Sequence, residues 1–260
     1  MKIAIVTGAS SGMGREAVVQ LANRFAGLGE IWVIARRTER LEQLRRRVPV
    51  PLRVLGLDLT DEDSIESLRW ELRHRMPEVK ILVNAAGYGR AGKAGAGDMA
   101  RETGMIRLNC EALCGVTHAV LPYMSDHGRI LMFASAAGFL PQPEFAIYAA
   151  TKAFVVSFGR ALNRELRARD IVVTSVCPGP VDTEFFTTAD MDGKLPFYKR
   201  MSMAKPERVV RRAIGDSMLG KEMSVYGPFM KLFCVGCKLI PHSLILSGME
   251  WGLRGQRKRE

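Results

Sequence analysis

Long apolar runs are missing from this sequence. The run IAIV that follows Met1 and Lys2 is far too short for the core of a signal peptide. The longest uncharged stretch near the C-terminus, Leu239 to Met249, contains a proline and a histidine and falls well short of the ~20 residues that a membrane span needs. With 47% apolar and 25% charged residues, the composition is typical of a globular protein. We therefore expect a cytoplasmic protein.

Cysteine is scarce, and its spacing argues against a metal site. An odd number of cysteines in a chain without an export signal favours reduced thiols. Cys234 and Cys237 form a C-x-x-C pair, but a structural zinc site would need a second pair and a redox site would need a thioredoxin-like context. We expect no metal and cysteines that pack like small hydrophobes. The five are Cys110, Cys114, Cys177, Cys234 and Cys237.

Acidic residues are outnumbered, since 27 Asp and Glu face 38 Lys and Arg and leave a net charge of +11. No nucleic-acid-binding motif accompanies the basic residues, so we expect no nucleic-acid partner. They indicate either a solvated helix face and a basic tail, or attraction of an anion such as a phosphorylated cofactor, an acyl carrier or a lipid surface. The two basic clusters are Arg36, Arg37, Arg40, Arg45, Arg46 and Arg47, and Arg254, Arg257, Lys258 and Arg259.

Short apolar runs alternate with helical patterns along the chain. The runs are rich in Val, Ile and Leu, as in strands that are buried on both faces of a parallel sheet. They lie at 3–7, 31–35, 52–57, 80–85, 129–135, 171–176 and 223–227. Helical stretches between them include Gly14 to Phe25, Thr38 to Arg47 and Asp61 to Arg75, the last with Thr60 as a candidate cap. This alternation predicts one α/β domain with a doubly wound, Rossmann-type parallel sheet of about seven strands.

A glycine-rich turn follows the first strand and opens the first helix. Residues 7–14 read TGASSGMG, with Gly8, Gly12 and Gly14. Such glycines let the backbone turn tightly and approach a pyrophosphate, while the helix N-terminus presents N–H groups to phosphates. The spacing G-x-x-x-G-x-G differs from the ordinary dinucleotide fingerprint, and a glycine-rich turn alone is not specific for a nucleotide.

Further motifs, in the right order, resemble the short-chain dehydrogenase/reductase family over essentially residues 1–226. NAAG at 84–87 ends the fourth strand, and PGPV at 178–181 follows the sixth. Ser135 ends the fifth strand, and YAATK, from Tyr148 to Lys152, begins thirteen residues later. The resemblance implies a carbonyl–alcohol oxidoreductase with a nicotinamide cofactor and a homodimeric or homotetrameric assembly.

In this family the glycine turn and the ends of several strands hold the cofactor. The resemblance places Asp58 at the adenine, although Asp58 could instead cap the helix that follows. It places Val181 and Thr183 at the nicotinamide carboxamide. The residues that it assigns to cofactor binding are Gly8, Ser10, Ser11, Gly12, Met13, Gly14, Asp58, Leu59, Asn84, Ala85, Gly87, Tyr148, Lys152, Pro178, Gly179, Val181 and Thr183.

Arg36 and Arg37, directly after the second strand, indicate NADP as the cofactor. An NAD enzyme needs an acid at this point to accept hydrogen bonds from the ribose, and an acid would repel a 2′-phosphate. Guanidinium groups bind such a phosphate with paired, charge-assisted hydrogen bonds, and Ser11 could add a hydroxyl. The alternative is that the two arginines merely begin a basic helix that Arg40 and Arg45 continue.

Four residues resemble the catalytic tetrad of the family, namely Asn109, Ser135, Tyr148 and Lys152. Tyr148 would donate the proton. Lys152, one helical turn later, would favour the phenolate together with the charge of an oxidised nicotinamide, and would hold the cofactor ribose. Ser135 would donate a hydrogen bond to the carbonyl. Asn109 would bind a water that links Lys152 to solvent. Each has a structural alternative: a helix surface pair, a strand-end cap or a partner for buried backbone.

The region near 183–218 corresponds to the substrate lid of the family. Its apolar residues suit a bulky hydrophobic ketone, such as a steroid or a 3-oxoacyl chain, but could equally pack the lid onto the core. They are Phe185, Phe186, Met191, Leu195, Phe197, Tyr198, Met201 and Met203. We therefore expect an NADP(H)-dependent oxidoreductase acting on a small hydrophobic molecule, with a non-catalytic NADP-binding regulatory protein on the same fold as the alternative.

Residues 227–260 extend beyond the part that resembles the family. This extension is apolar, is divided by Pro241 and carries four basic residues among its last seven. It could pack on its own domain, join a subunit interface or lie on a membrane surface. We expect burial within the protein, on the same domain or at an interface, rather than contact with a membrane.

Overall fold

Seven parallel strands form the centre of the structure, a computed structural model in which residues 1–189 and 203–248 are described. Their order across the sheet is β3-β2-β1-β4-β5-β6-β7, and every neighbouring pair is parallel. The strands are β1 (Lys2–Thr7), β2 (Glu30–Ile34), β3 (Leu52–Leu55), β4 (Glu78–Asn84), β5 (Met124–Phe133), β6 (Val172–Val176) and β7 (Met223–Ser224). The prediction of a doubly wound, Rossmann-type sheet of about seven strands is confirmed.

Helices cover both faces of this sheet. Ile3 and Ile5 of β1 belong to the core on one face, while Ala4 and Val6 belong to the core on the other, and all four are fully buried. Burial on both sides explains why the strand sequence is apolar throughout. The helices are α1 (Gly12–Arg24), α2 (Thr38–Arg45), α3 (Glu62–Arg75), α4 (Met99–Ile106), a π-helical turn (Arg107–Glu111), α5 (Ala112–Val120), a 3-10 turn (Ala136–Phe139), α6 (Ala146–Glu165), α7 (Phe185–Thr188), α8 (Pro206–Met218) and α9 (Pro228–Leu239).

The direction of chain progression reverses between β1 and β4. From β1 the chain moves outward to β2 and β3, then returns to β4 on the other side of β1. Thr7 and Asn84, the last residues of the two central strands, are register partners. Crossovers that leave in opposite directions open a crevice outside the carboxyl ends of these strands, where ligands bind in sheets of this kind. The glycine-rich turn and the NAAG segment meet at this crevice.

The cap of α3 is Asp61 and not Thr60. The Asp61 side chain accepts a hydrogen bond from the backbone N–H of Asp63 at 3.2 Å. Thr60 instead donates to Asp58 Oδ1 through its hydroxyl, at 2.8 Å, and through its backbone N–H, at 3.1 Å. The expectation of a Thr60 cap is therefore wrong, because the Thr60 hydroxyl is bound to the Asp58 carboxylate. Asp58 closes a turn ahead of the helix and does not cap it.

Helix α9, the first part of the C-terminal extension, packs one face on the domain. Cys234 and Cys237 are buried, and the ring centroid of Phe233 lies 6.5 Å from that of Phe139 in the 3-10 turn after β5. On the opposite face Leu232 is 72% exposed. Beyond Pro241 the chain is again helical over 242–248.

Parts of two expectations lie outside the described residues. Residues 190–202 contain five of the eight apolar residues of the expected lid, and residues 249–260 contain the basic end of the extension. Within the ranges 1–189 and 203–248, no helix is long and apolar enough to cross a membrane.

Replacing Phe233 by Ala should lower the free energy of unfolding by about 2–3 kcal/mol, because α9 loses the ring that packs near Phe139. Leu232→Ala removes a similar apolar group from the exposed face of the same helix, so it should change stability by less than about 0.5 kcal/mol. Urea unfolding followed by circular dichroism measures both. Equal losses in the two variants would mean that the outer face of α9 is also covered in solution.

Candidate active site

The glycine-rich turn between β1 and α1 leaves no room for side chains. Gly8 and Gly12 have φ values of +66° and +51°, the left-handed region that favours glycine. A Cβ atom on Gly8 would also lie 2.7 Å from the backbone nitrogen of Ala86 at the end of β4. Ser11, the residue before α1, does not cap the helix with its side chain. The first N–H groups of α1 therefore face a bare backbone turn, a geometry that suits a phosphate group.

Two threonines hold the end of β4 in place, Thr7 at the glycine-rich turn and Thr117 on α5. Thr7 Oγ1 accepts hydrogen bonds from the backbone N–H groups of Ala85 and Ala86, both at 3.1 Å. Asn84 is buried, and its Nδ2 donates to Thr117 Oγ1 on α5 at 2.9 Å. Sequence reasoning assigned Asn84 and Ala85 to the cofactor but missed the positioning role of Thr7, the first residue of the quoted motif, and of Thr117, which no motif marks.

Arg37 lies against the glycine-rich turn, and Arg36 does not. The Arg37 guanidinium donates to Ser11 Oγ at 2.9 Å through Nη2 and to Ser10 Oγ at 3.3 and 3.2 Å through Nε and Nη2. Arg36 instead pairs with Asp58, with 3.5 Å between Nη1 and Oδ2. Sequence reasoning treated the two arginines as equivalent, whereas the structure gives them different partners.

Asp58 is stabilised as a carboxylate. Partial burial acts to raise its pKa, but the hydrogen bonds from Thr60 and the charge of Arg36 hold the pKa below the usual value of an aspartate. The ionised Asp58 follows β3 and lies beside Arg36, which follows β2. Its charge is partly compensated by Arg36.

Glu184, which sequence reasoning missed, reaches the same arginine cluster from the other end of the chain. Its carboxylate accepts from Arg37 Nη1 at 3.0 Å and from Arg40 Nη1 at 2.6 Å. Although partial burial acts in the opposite direction, these hydrogen bonds hold the pKa of Glu184 below its usual range. The preceding residue, Thr183, lies over the glycine turn, since a Cβ atom on Gly12 would be 3.4 Å from the Thr183 side chain. In the sequence, the signal for Glu184 was its position directly after Thr183, a predicted cofactor residue.

Tyr148 and Lys152 lie one turn apart on α6, both buried. The Lys152 ammonium donates to the backbone carbonyl of Phe133 at the end of β5, at 2.8 Å, and lies 5.7 Å from the centre of the Tyr148 ring. Burial lowers the pKa of Lys152 to about 8. Burial also raises the pKa of Tyr148 to about 12, against a smaller lowering by a hydrogen bond with Ser135.

These values apply to the protein alone, whereas the expected phenolate also depends on the charge of an oxidised nicotinamide, so that expectation stays a prediction. In the protein alone the ammonium is directed at the Phe133 carbonyl, and aromatic rings cover the phenol. The protein by itself therefore keeps Tyr148 as a neutral phenol, the form that can donate a proton.

Asn109 lies in the π-helical turn between α4 and α5, and protein groups engage both polar atoms of its side chain. Its Oδ1 accepts from the backbone N–H of Tyr88 at 3.0 Å. Its Nδ2 donates to the Tyr88 carbonyl at 2.9 Å and to Thr151 Oγ1 at 3.0 Å. These contacts fix the loop after NAAG against α6, since Thr151 directly precedes Lys152. The expectation that Asn109 binds a water that links Lys152 to solvent stays a prediction.

Aromatic rings form a wall around the Tyr148 phenol. The ring centroids of Phe145 and Phe185 lie 4.4 and 5.3 Å from that of Tyr148. Phe186 packs edge-on against Phe185 at 5.7 Å. A Cβ atom on Gly89 would lie 2.7 Å from Phe185, so the loop after β4 passes directly beneath this wall. Sequence reasoning placed Phe185 and Phe186 on the lid but missed Phe145.

The remaining predicted cofactor residues are distributed around the crevice. Pro178 accepts a hydrogen bond from Ala136 N at 2.9 Å, which ties the segment after β6 to the turn after Ser135. Gly179 contacts α9, because its Cβ atom would lie 2.8 Å from Met230 Sδ. The Leu59 side chain is buried in one core, and the Met13 side chain packs against the other. Gly87 faces Asn109 and Lys152.

Thiols near the site are neutral. All five cysteines are free. Burial raises the pKa of Cys110 to about 11 and raises that of Cys177 still further. In the part of the chain that the structure describes, no group of three or more His, Cys, Asp or Glu side chains is arranged to hold a metal ion.

Comparison with known proteins reveals extensive similarity. Residues 2–193 match the family model described as short chain dehydrogenase. Sulfoacetaldehyde reductase 2 of Chromohalobacter salexigens is 40% identical over 192 residues, which cover 70% of this chain and 74% of that protein. Very-long-chain 3-oxoacyl-CoA reductase-B of Danio rerio is 29% identical over 255 residues, covering 94% and 78%. A crystallised short-chain dehydrogenase from Sphingobium yanoikuyae in complex with NADPH superposes with a TM-score of 0.78 at 27% identity, covering 98% and 96%.

Without added nucleotide, Lys152→Met should stabilise the protein at pH 7 by about 1–2 kcal/mol, the cost of the buried charge less one lost hydrogen bond. The pKa of Lys152 is lowered to about 8, whereas an unfolded lysine ionises near ~10.4. Between pH 8 and pH ~10.4 the unfolded state binds more protons than the folded state, so the stability of the wild type rises with pH. Below pH 8 the full cost of the buried charge applies. The advantage of the variant should therefore shrink as the pH rises from 8 to 10.

Urea unfolding at pH 7 and pH 9.5 measures this difference. Lys231→Met, at an exposed position on α9, is the control for loss of one positive charge. An advantage that does not change with pH, or that Lys231→Met shares, would contradict a buried ammonium at Lys152.

Proposed function

Because this chain belongs to the short-chain dehydrogenase/reductase family, we propose that it is an NADP(H)-dependent oxidoreductase that interconverts a carbonyl and a secondary alcohol. The observation that carries the proposal is the cluster of Ser135, Tyr148 and Lys152 at the carboxyl ends of the central strands. Tyr148 and Lys152 are buried and Ser135 is half-buried, beside a glycine turn that fits a dinucleotide phosphate. When bound, the nicotinamide supplies or accepts the hydride.

In the reducing direction the protein supplies the proton and the polarisation. Ser135 donates a hydrogen bond to the carbonyl oxygen, which stabilises negative charge as it develops there. The Tyr148 hydroxyl then transfers its proton to that oxygen, and the O–H bond of the phenol breaks. Lys152, whose pKa lies near 8, stabilises the resulting phenolate by its charge and returns a proton to it. The aromatic wall excludes water from this transfer.

The preference for NADP(H) over NAD(H) is proposed from the arginine cluster. Arg37 already spans the hydroxyls of Ser10 and Ser11 at the mouth of the glycine turn, and Arg36 lies close by at Asp58. A 2′-phosphate near these groups would gain charge-assisted hydrogen bonds, which NAD(H) could not make. The NADPH complex of the Sphingobium yanoikuyae relative supports this choice.

The proposed substrate is a hydrophobic carbonyl compound, either steroid-like or a 3-oxoacyl derivative. Phe145, Phe185 and Phe186 offer apolar surface around the catalytic phenol. A cavity of about 130 Å³ adjoins the start of α6, and Arg90 and Lys93 are among the residues that line it. Basic side chains next to an apolar wall favour the acyl alternative, since acyl carriers are anionic. The similarity to a 3-oxoacyl-CoA reductase over most of the chain points the same way.

Assembly, location and the C-terminal extension complete the proposal. We propose a cytoplasmic homodimer or homotetramer in which residues 227–260 pack on the catalytic domain, formed by residues 1–226, or on a partner subunit. The inward face of α9, which contacts Gly179 and the turn after Ser135, supports packing at the rim of the active site. Its exposed face would then be available to a second subunit.

Arg37→Met should weaken NADP⁺ binding by about 10- to 100-fold while changing NAD⁺ binding little, because a charge-assisted contact is lost only with the phosphorylated cofactor. Isothermal titration with each nucleotide measures the two affinities. Arg45→Met, which alters an exposed arginine of α2 paired with Glu42, is the matched control. An equal loss for NAD⁺ and NADP⁺ would contradict a phosphate contact at Arg37.

Tyr148→Phe should lower turnover by about 10²- to 10⁴-fold and leave NADPH affinity nearly unchanged, because only the proton donor is removed. The assay is NADPH consumption with steroids, 3-oxoacyl thioesters and simple ketones as substrates. Tyr123→Phe, a hydroxyl removal remote from the crevice, serves as the control. Near wild-type turnover in Tyr148→Phe would overturn the catalytic assignment. Wild-type protein that binds NADPH but reduces no carbonyl would favour the non-catalytic regulatory protein.

A further inference from the structure

Glu184 connects the two halves of the crevice. It lies 147 residues after Arg37 in sequence, yet its carboxylate accepts a hydrogen bond from Arg37 at 3.0 Å and another from Arg40 at 2.6 Å. Both arginines come from the β2–α2 region, whereas Glu184 belongs to the segment that follows β6. No contact of this kind follows from the pattern of either segment alone.

The neighbours of Glu184 touch two other parts of the proposed cofactor site. Thr183 lies against Gly12 of the glycine turn. Phe185 lies against Tyr148, with ring centroids 5.3 Å apart. Three consecutive side chains thus reach the phosphate turn, the arginine cluster and the catalytic phenol. The position of Glu184 at the arginines is therefore linked directly to the position of the wall over Tyr148.

The carboxylate of Glu184 and a 2′-phosphate would require the same donors. Arg37 has its Nε and Nη2 on Ser10 and Ser11 and its Nη1 on Glu184. If both anions were held at one guanidinium, their negative charges would lie close together and would repel each other. If Glu184 moved away, its ion pairs with Arg37 and Arg40 would be lost. In either case the negative charge of Glu184 opposes binding of the 2′-phosphate of NADP(H). It does not oppose NAD(H), which has no 2′-phosphate.

We propose that Glu184 is a specificity-determining residue that competes with the 2′-phosphate for Arg37 and Arg40 and thereby limits the preference for NADP(H) over NAD(H). This inference rests on the proposed function. The competition is modest, because each ion pair joins side chains that are about half exposed, with 42–50% of their surface accessible, and exposed pairs are weak.

Glu184→Gln tests the proposal, since it removes the charge and retains the shape. Glu184→Asp retains the charge and should behave like the wild type. Glu66→Gln makes the same charge change on α3, where Glu66 pairs with Arg69 at 2.8 Å, far from the crevice, and controls for net charge. Isothermal titration of the four proteins with NADP⁺ and with NAD⁺ gives the dissociation constants directly, without reference to turnover.

We expect Glu184→Gln to bind NADP⁺ about three- to tenfold more tightly than the wild type, with the NAD⁺ constant within twofold and both controls near the wild type. Unchanged or weaker NADP⁺ binding in Glu184→Gln would overturn the inference; weaker binding would identify Glu184 as a group that positions Arg37. An equal gain in Glu66→Gln would overturn it as well. If the wild type prefers NADP⁺ and Glu184→Gln has no effect, only this inference fails. If the wild type binds neither nucleotide, the proposed function fails and this inference fails with it.

Discussion

The contact between the glycine-rich turn and the end of β4 is the constraint on which the rest of the site depends. Gly8 approaches Ala85 and Ala86 so closely that a methyl group would collide with their backbone, and Thr7 Oγ1 accepts the N–H groups of the same two residues. This contact joins the β1–α1 connection to the NAAG segment at the point where chain progression reverses. The first turn of α1, the loop after β4 and the start of α6 thereby share one crevice. A larger residue at Gly8 would have to separate the central strands at the place where a ligand would bind.

The proposed catalytic pair is buried at an energetic cost that the surrounding fold partly offsets. Lys152 and Tyr148 are both buried, and burial disfavours the charged form of each. The Phe133 carbonyl lowers this cost by accepting a hydrogen bond from the ammonium. Asn109 and Thr151 fix the adjacent loop and helix, so the two side chains cannot relax toward solvent. The fold thus gives up stability to hold a tyrosine with a raised pKa beside a lysine with a lowered pKa. Shifted pKa values of this kind are expected at active sites.

The segment after β6 acts at both ends of the crevice at once. Thr183, Glu184 and Phe185 follow one another, and they contact the glycine turn, the arginines and Tyr148 respectively. One short segment therefore contributes to three parts of the crevice. The outward face of α9 lies apart from this arrangement. The helix contributes to the crevice through its inward face alone.

The sequence by itself determined the order of strands and helices along the chain and the glycine turn, because both depend on local pattern, whereas the candidate tetrad came from the resemblance of its motifs to the family. Short runs rich in Val, Ile and Leu are typical of strands buried on both faces, and left-handed turns favour glycine. A four-residue spacing places Tyr148 and Lys152 on one face of a helix. Only the tertiary structure decided which arginine meets the glycine turn, that Asn109 binds Tyr88 and Thr151, and that Glu184 reaches Arg37 and Arg40. These contacts join residues that are 21 to 147 positions apart. Such pairs are set by the crossovers and the register of the strands, which bring distant segments to one edge of the sheet, and no local pattern encodes that proximity.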